Sequence, residues 1–323
     1  MIHSPSQDEL VQRAEDARRR IRGRLRETPL EPSPWLSEAT GAEVRLKCEN
    51  LQVTGSFKLR GALNKVLSSP SDTRFVTAST GNHAAAMAHA VGRNTEQLTI
   101  FVPKTADPAK VERLVRLGLD VRLEGVDGIE AEAAARAHAS ANGQSYVSPY
   151  NDLDIVAGQA TLGLELLEQW PKVEQIYLAL GGGGLASGCA LAVAPQTRVV
   201  ACSPAASDVM RASVAAGEIL DLPSDPTLSD GTAGGVEAES VTFDLCKALI
   251  DDYPVVSEQQ IGQALYRTIE EHRSLIEGAA AVPIATLLER GRRLEGQRIA
   301  VVLCGANISP STLRDVLVEH VSP

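Results

Sequence analysis

The sequence predicts an α/β fold with mostly parallel sheets, and two features of its 323 residues support this. Short apolar runs recur along the chain, mostly β-branched and without polar alternation, as expected of strands that are covered on both faces. Alanine-rich segments of helical length separate these runs, and alternating strands and helices are typical of α/β proteins. The chain is long enough for two domains with substantial cores.

The strands are predicted at residues 44–48, 74–78, 98–102, 121–123, 176–180, 199–202 and 299–303. The clearest helices are predicted at residues 7–25, 82–91, 128–142 and 158–168. Glycine and proline residues between 221 and 235 indicate an internal loop. No linker marks a domain boundary, and residues 148–152 are the best candidate for a crossing point between domains.

Composition excludes several classes of function. A formal net charge of -10 argues against nucleic-acid binding, and a 3% aromatic content argues against base stacking. The chain has no signal peptide at its start and no apolar run of the ~18 residues that span a bilayer. Its five cysteines are an odd number without a C-x-x-C pair, which favours reduced thiols in the cytoplasm. We therefore expect a cytoplasmic protein with a small-molecule ligand.

Lys58 stands between the bulky Phe57 and a glycine turn at Gly61. Burial against apolar groups disfavours the ammonium form of lysine, and a neutral amine can attack an aldehyde. The segment therefore predicts that Lys58 carries an organic aldehyde cofactor as a Schiff base.

Four glycines, residues 181–184, follow a predicted strand and precede a helix that starts near Leu185. Backbone N–H groups there can approach an anion closely, and the helix N-terminus adds a favourable dipole. A dinucleotide site would need an acid about 20 residues on to hold the ribose, but Cys202 and Ser203 occupy that place. A phosphate monoester fits better, and an NAD-dependent oxidoreductase is disfavoured.

Two further segments follow strands in the same way. Residues 79–83 open a helix with hydroxyl, amide and backbone donors, which suit a carboxylate, although an N-cap alone would explain Ser79 or Thr80. Cys304 ends the strand at 299–303, where a thiol can face a ligand or simply be a small buried residue.

With these four motifs in order, the chain resembles the pyridoxal-phosphate enzymes of the serine/threonine dehydratase and serine racemase family. Residues 28–30, 49–52, 157–159 and 276–279 extend the likeness over nearly the whole chain. The resemblance implies two doubly wound domains with mostly parallel sheets and the cofactor in the cleft between them. Residues 1–66 and 153–323 would form a discontinuous cofactor-binding domain, and residues 67–152 a small mobile domain.

The resemblance also implies a role for each motif. Lys58 would carry pyridoxal 5'-phosphate, Phe57 would flank its ring, Asn82 would bind the ring hydroxyl, and Cys304 would face the ring nitrogen. The phosphate would be held by backbone N–H groups of Gly181, Gly182, Gly183, Gly184 and Leu185. The substrate carboxylate would be held by Ser79, Thr80, Gly81, Asn82 and His83. Lys58 would then act as the base in an ammonia-lyase (dehydratase) reaction on a β-hydroxy amino acid such as L-threonine or L-serine.

Alternatives stay open within the family. Racemases of this type place a serine hydroxyl where Thr80 stands, so a serine or aspartate racemase is one alternative. A dehydratase for 3-hydroxyaspartate or a bulkier hydroxy amino acid is another, and Asp230 could either border that side chain or close a turn. A non-catalytic sensor is disfavoured because Lys58 is retained.

The resemblance sets expectations for metal, regulation and assembly as well. Many relatives bind a divalent cation where this chain has Ser203 and Val209, so we expect that metal site to be missing or rebuilt. The chain ends soon after Cys304, so no C-terminal regulatory domain is expected. A homodimer is the usual assembly of the family.

Overall fold

The computed structural model describes residues 6–320, which form two sheets covered by helices. The strands are β1 Leu30–Pro32, β2 Glu43–Lys47, β3 Phe75–Ala78, β4 Leu98–Val102, β5 Asp120–Leu123, β6 Ser145–Tyr146, β7 Gln175–Ala179, β8 Arg198–Pro204, β9 Val255–Val256 and β10 Arg298–Val302. The helices are α1 Gln7–Ile21, α2 Pro34–Thr40, α3 Lys58–Ser68, α4 Asn82–Val91, α5 Pro108–Arg116, α6 Gly128–Asn142, α7 Leu153–Gln169, α8 Gly184–Val193, α9 Val209–Ala216, α10 Val241–Leu249, α11 Glu258–His272, α12 Gly278–Arg290 and α13 Pro310–His320.

The larger sheet has the strand order β1-β2-β10-β7-β8-β9. Its strands are parallel except for β1, which pairs with β2 in the antiparallel sense at the edge. All five residues of β7 are buried, because helices cover both faces of a sheet built from parallel strands. The predicted α/β class with mostly parallel sheets is therefore confirmed.

The smaller sheet has the strand order β5-β4-β3-β6 and is entirely parallel. Leu98 and Ile100 of β4 share a core cluster with Met87 of α4. Phe101, on the other face of the same strand, clusters with Ala135 of α6. Because successive side chains of a strand point to opposite faces, a strand such as β4, in which all five residues are buried, needs a helix on each side.

Each of the seven predicted strands is present, with bounds that differ by at most two residues. The helices α4 and α6 have the predicted bounds. The prediction for α1 was too long, because the helix ends at Ile21 and Gly23 then takes a left-handed conformation with φ 74°. The prediction for α7 was too short, because Asp152 caps the helix at an earlier start, accepting hydrogen bonds from Asp154 N and Ile155 N at 2.8 and 3.2 Å.

Three short strands, β1, β6 and β9, were not predicted. Residues 1–5, which carry the expectation about a signal peptide, lie outside the described residues, as do residues 321–323. Within the described range, every helix is too short or too polar to cross a bilayer.

The strand ends bring the predicted motifs together. The glycine segment follows β7, residues 79–83 follow β3, and Cys304 follows β10. Since ligands of open α/β sheets bind at the carboxyl ends of the strands, the topology directs all three segments toward one cleft.

Candidate active site

Lys58 is the first residue of α3, and its backbone is tied to the end of β10. Phe57 N donates a hydrogen bond to Cys304 O at 3.0 Å, and Ser56 forms an isolated antiparallel bridge with Gly305. The lysine and the thiol therefore enter the cleft side by side, although 246 residues separate them in sequence.

The Lys58 side chain is held in surroundings that favour its neutral form. Its Nζ donates to Pro149 O at 2.9 Å and lies 5.3 Å from the centre of the Phe57 ring. Burial lowers the pKa of Lys58 to about 8, although the negative charges of Cys304 and Glu277, when ionised, would raise it. A lysine with this pKa holds a substantial fraction of neutral, nucleophilic amine near neutral pH.

Beneath Lys58, a buried group of charges anchors α3 to the rest of the protein. Arg60 forms a two-bond ion pair with Glu49 at 2.7 and 2.9 Å and binds Glu165 at 2.9 Å. Lys47 Nζ donates to the other oxygen of Glu165 at 2.5 Å. Two cations thus face two carboxylates, and the group is neutral as a whole.

The glycine segment is packed too closely against the rest of the protein to carry side chains. A Cβ added at Gly182 would lie 2.4 Å from the Tyr150 ring, and Gly183 has φ 86°, which favours glycine. The N–H groups of residues 181–185 donate to no acceptor among residues 6–320. The start of α8 adds the positive end of its dipole, so the segment suits a bound anion.

Residues 79–83 form a second set of free donors. Ser79 N donates to Phe101 O at 3.2 Å, which fixes the turn, and Gly81 N donates to Ser79 Oγ at 3.2 Å. The N–H groups of Thr80, Asn82 and His83 have no acceptor within the described part of the chain.

His83 contributes a neutral ring. Burial and the nearby charge of Lys58 lower the pKa of His83 to about 3. Its Nε2 lies 3.4 Å from Val147 O, and its buried Nδ1 has no partner among the described residues. An acceptor carbonyl at Nε2 places the proton there, so Nδ1 is a lone-pair acceptor and cannot bind a carboxylate. The main-chain N–H of His83 is the better carboxylate donor.

Cys304 is buried at the end of β10, and its Sγ lies 3.8 Å from Glu277 Oε1. Burial, followed by the charge of Glu277, raises the pKa of Cys304 well above its ordinary value. The side chain is therefore a neutral thiol.

The predicted site residues line one cavity of about 930 Å³ that contacts both sheets. It includes every predicted site residue: Phe57, Lys58, Ser79, Thr80, Gly81, Asn82, His83, Gly181, Gly182, Gly183, Gly184, Leu185 and Cys304. An amine with a lowered pKa thus shares a cavity with two separate sets of free N–H groups. This arrangement suits an aldehyde that carries a phosphate, together with a substrate that carries a carboxylate.

Over residues 21–305 the sequence matches the profile of a family described as pyridoxal-phosphate dependent enzyme. The chain belongs to this family. An L-threonine ammonia-lyase of Geobacter sulfurreducens is 38% identical, with 96% of this chain and 78% of that protein aligned. A serine racemase of Arabidopsis thaliana is 33% identical, with 93% of each chain aligned.

Solved structures give the same result. The processed form of threonine deaminase isoform 2 from Solanum lycopersicum superposes with a TM-score of 0.89 at 30% identity, over 99% of this chain and 95% of that one. The predicted family, the fold class and pyridoxal phosphate as cofactor are therefore confirmed. The chain is an enzyme that depends on this cofactor.

The residues present in the cleft fit pyridoxal phosphate. The free N–H groups of residues 181–185 match a phosphate, and a side chain at Gly182 would clash with the Tyr150 ring. Lys58 would hold the aldehyde carbon, and Cys304 offers a neutral group to the ring. The cofactor, when bound, supplies the electron withdrawal that weakens bonds at the substrate α-carbon.

Three cavity residues were missed by sequence reasoning. Tyr150 packs its ring against Gly182, and its hydroxyl accepts a hydrogen bond from Glu237 N at 2.9 Å. Glu277 and Asn307 both bind Asn82 from the opposite side of the cleft. The only sequence signals were that Glu277 lies in the segment 276–279 and Tyr150 in the segment 148–152, which gave neither residue a role, and that Asn307 is close to Cys304.

Asp230, left open by the sequence, lies at the mouth of the cavity, where its Oδ2 is 3.5 Å from Lys110 Nζ. At the segment where relatives bind a cation, Asp208 Oδ2 instead pairs with Arg211 at 2.5 Å. Within residues 6–320, no group of three or more histidine, cysteine, aspartate or glutamate side chains is arranged to hold a metal ion.

Proposed function

We propose that this enzyme is an ammonia-lyase that converts a β-hydroxy amino acid, such as L-threonine or L-serine, into a 2-oxo acid and ammonia. The observation that carries the proposal is the placement of Lys58. Its amine, with a pKa of about 8, lies in one cavity with the two sets of free N–H groups.

Each set of N–H groups would hold one anionic end. Residues 181–185 would bind the phosphate of the cofactor, and residues 79–83 would bind the substrate carboxylate through their main chain. Phe57 would flank the cofactor ring, and Cys304 would face its nitrogen. Two fixed ends orient the substrate α-carbon, and orientation of this kind lowers a barrier by removing rotational freedom in advance.

Lys58 would take the α-proton. An amine with a pKa of about 8 is neutral often enough to accept a proton and acidic enough, once protonated, to return it. Cys304 would offer the ring nitrogen a neutral thiol, so the bound cofactor would withdraw electrons less strongly than with a charged partner, which favours elimination.

The mouth of the cavity favours a neutral substrate side chain. Lys110 and Asp230 form an exposed ion pair there, so Lys110 already has a carboxylate partner. A distal carboxylate, as in 3-hydroxyaspartate, would compete with Asp230 for Lys110. Threonine and serine bring no such charge, and the relatives named threonine ammonia-lyase agree with this choice.

The racemase alternative depends on Thr80. This residue lines the cavity on the loop that would bind the carboxylate, and in a racemase its hydroxyl would return a proton to the opposite face of the α-carbon. The methyl group of the Thr80 side chain would crowd that face of the substrate, so we propose elimination as the main activity.

The test is to incubate the purified enzyme with L-threonine and with L-serine and to measure 2-oxo acid, ammonia and D-amino acid. We expect 2-oxobutanoate from L-threonine and pyruvate from L-serine, each in the same amount as ammonia. The Lys58→Ala variant should form neither a 2-oxo acid nor ammonia. Formation of D-serine without pyruvate would show that the enzyme is a racemase and not a lyase.

Compartment, assembly and domain division belong to the same proposal. Five free, buried cysteines support the cytoplasm, where thiols stay reduced. A homodimer is carried over from the family, and sedimentation of the purified protein tests it. The small sheet would belong to a mobile domain of residues 67–152, with residues 1–66 and 153–323 forming the cofactor-binding domain; limited proteolysis with and without cofactor tests that division.

A further inference from the structure

Glu277 is a buried carboxylate in the cleft that the proposed reaction does not use. It immediately precedes α12 and is 3% exposed. Both of its oxygens lie 3.0 Å from Asn82 Nδ2, and its Oε2 accepts a hydrogen bond from Asn307 N at 3.1 Å. Burial raises the pKa of Glu277, although the hydrogen bonds from Asn82 and Asn307 lower it. The hydrogen-bond partners of Glu277 thus come from the start of α4 and from the segment that follows β10.

Asn307 binds the other end of the same amide. Its Nδ2 donates to Thr54 O at 3.2 Å and also to Asn82 Oδ1. A carbonyl oxygen can only accept, so Thr54 fixes which end of the Asn307 amide carries the hydrogens. The Asn307 side chain must then present N–H, not oxygen, to Asn82.

Asn82 consequently has one favourable orientation. Turning its amide over would place Oδ1 against the Glu277 carboxylate and Nδ2 against the N–H of Asn307. Each of those contacts would oppose two groups of the same polarity in a buried place, where an unmade hydrogen bond is costly. One N–H of Asn82 can serve both oxygens of Glu277, because the two distances are equal. The second N–H is left for a ligand of the cavity.

We propose that Glu277 and Asn307 are positioning residues that fix the polarity of Asn82, so that an N–H and not the amide oxygen is offered to the ring oxygen of the cofactor. This inference rests on the proposed contact between Asn82 and that oxygen. An N–H donor stabilises the anionic form of the ring oxygen, while an amide oxygen in its place would repel it.

Gly305 provides independent support. A Cβ at this position would lie 2.6 Å from Glu277 Oε1 and 2.8 Å from Oε2. The backbone beside Cys304 therefore leaves its side-chain space to the carboxylate of Glu277. The carboxylate is thus accommodated by the strand end that also carries the thiol.

The first test compares Glu277→Gln with wild type. One carboxylate oxygen then becomes an NH2 group, which must oppose either Asn82 or the main chain of Asn307. Loss of the Glu277 charge alone would lower the pH at which the visible band of the bound cofactor titrates, because that charge raises the pKa of Lys58. Loss of the Asn82 donor acts in the opposite direction, and we expect the band to titrate about one pH unit higher on balance and the cofactor dissociation constant to rise roughly tenfold, the equivalent of one hydrogen bond. The matched control is Glu174→Gln, the same change at an exposed pair with Arg298 outside the cleft.

The second test reverses the polarity of the pair. In the double variant Asn82→Asp with Glu277→Gln, the new amide donates to the new carboxylate and Asn307 keeps its acceptor. We expect the melting temperature of the cofactor-free protein to return toward wild type while the absorbance band stays shifted. A structural role alone would restore both.

A second variant and a defined negative result complete the test of the inference. If Glu277→Gln fails to fold, Asn307→Asp tests the same amide from the other side and is expected to shift the band in the same direction. A band that titrates as in wild type in the variants that fold would overturn the inference, even if their melting temperatures fall. If the wild-type enzyme shows no lyase activity, the proposed reaction is refuted but this inference is not. If the wild-type protein shows no visible band with pyridoxal phosphate, both are refuted.

Discussion

The Lys58 amine donates a hydrogen bond to the Pro149 carbonyl at 2.9 Å, which joins the start of α3 to the segment between the two sheets. A carbonyl partner stabilises an ammonium group, yet burial dominates and lowers the pKa of Lys58 to about 8. The Pro149 carbonyl therefore holds the Lys58 amine in place, while burial keeps the neutral form of the amine accessible.

The rate at which the cofactor-free enzyme binds pyridoxal phosphate should depend on pH through Lys58. The folded protein depresses the pKa of this lysine from 10.5 to about 8, so the neutral, reactive amine accumulates as pH rises through 8. We expect the rate of appearance of the visible band to increase from roughly pH 7 to roughly pH 9 and then to level off. A rate that still climbs tenfold per unit above pH 9 would indicate an ordinary lysine.

Gly182→Ala should weaken cofactor binding. The new Cβ would overlap the Tyr150 ring at 2.4 Å and push the ring or the loop into the anion space. Overpacking of this kind costs about 1–3 kcal/mol, so the cofactor dissociation constant should rise at least about fivefold. Gly128→Ala, where the new Cβ meets nothing within 4 Å, is the control. Equal cofactor affinities in the two variants would argue against the phosphate assignment.

Arg60→Met should destabilise the fold by about 3–5 kcal/mol, because Glu49 would be left buried and unpaired. Chemical denaturation measures the loss, and Arg314→Met, at an exposed pair with Asp315, should change stability by less than about 1 kcal/mol. Equal losses of unfolding free energy in the two variants would show that the buried ion pair contributes no more to stability than the exposed one.

The same group should make stability depend on acid. Burial alone would raise the pKa of Glu165, but Arg60 and Lys47 lower it below the ordinary 4.5. A carboxyl with a lowered folded-state pKa contributes stability that is fully present above 4.5 and is lost as pH falls through the folded-state value. We expect the wild-type free energy of unfolding to fall below about pH 4.5, and a smaller fall in Glu165→Gln. Parallel curves for the two proteins would exclude Glu165 as a contributor.

Asp230→Asn should shift substrate preference toward acidic side chains. The substitution frees Lys110, now 3.5 Å from Asp230, to pair with a distal carboxylate. An exposed ion pair is worth about 1 kcal/mol at most, so kcat/KM for 3-hydroxyaspartate relative to threonine should rise by up to about fivefold. An unchanged ratio would remove the Lys110–Asp230 pair from the account of specificity.

Much of the fold follows from local sequence. The run at β4 is apolar at every position except Thr99, and the alanine-rich α4 starts directly after a glycine, so both elements have the predicted bounds. The glycine segment could be predicted as an anion site because its residues and its place after a strand are local signals. The candidate site residues all reach one cavity for the same reason, since strand ends share an edge.

What sequence reasoning missed depends on distant partners. β1 is only three residues long, contains Pro32, and is defined by its pairing with β2. Glu277 lies 195 residues from Asn82, and nothing near it in the chain shows that the two meet. Tyr150 is part of the predicted crossing segment, but its contact with Gly182 exists only once the two sheets are packed together.

The most direct test of the account is to locate the cofactor on the chain. The enzyme loaded with pyridoxal phosphate is reduced with borohydride, digested, and its peptides are identified by mass spectrometry. We predict a single stoichiometric label on Lys58, and none on the same peptide in Lys58→Ala. A stoichiometric label on another lysine, with Lys58 unmodified, would contradict the central role given to Lys58.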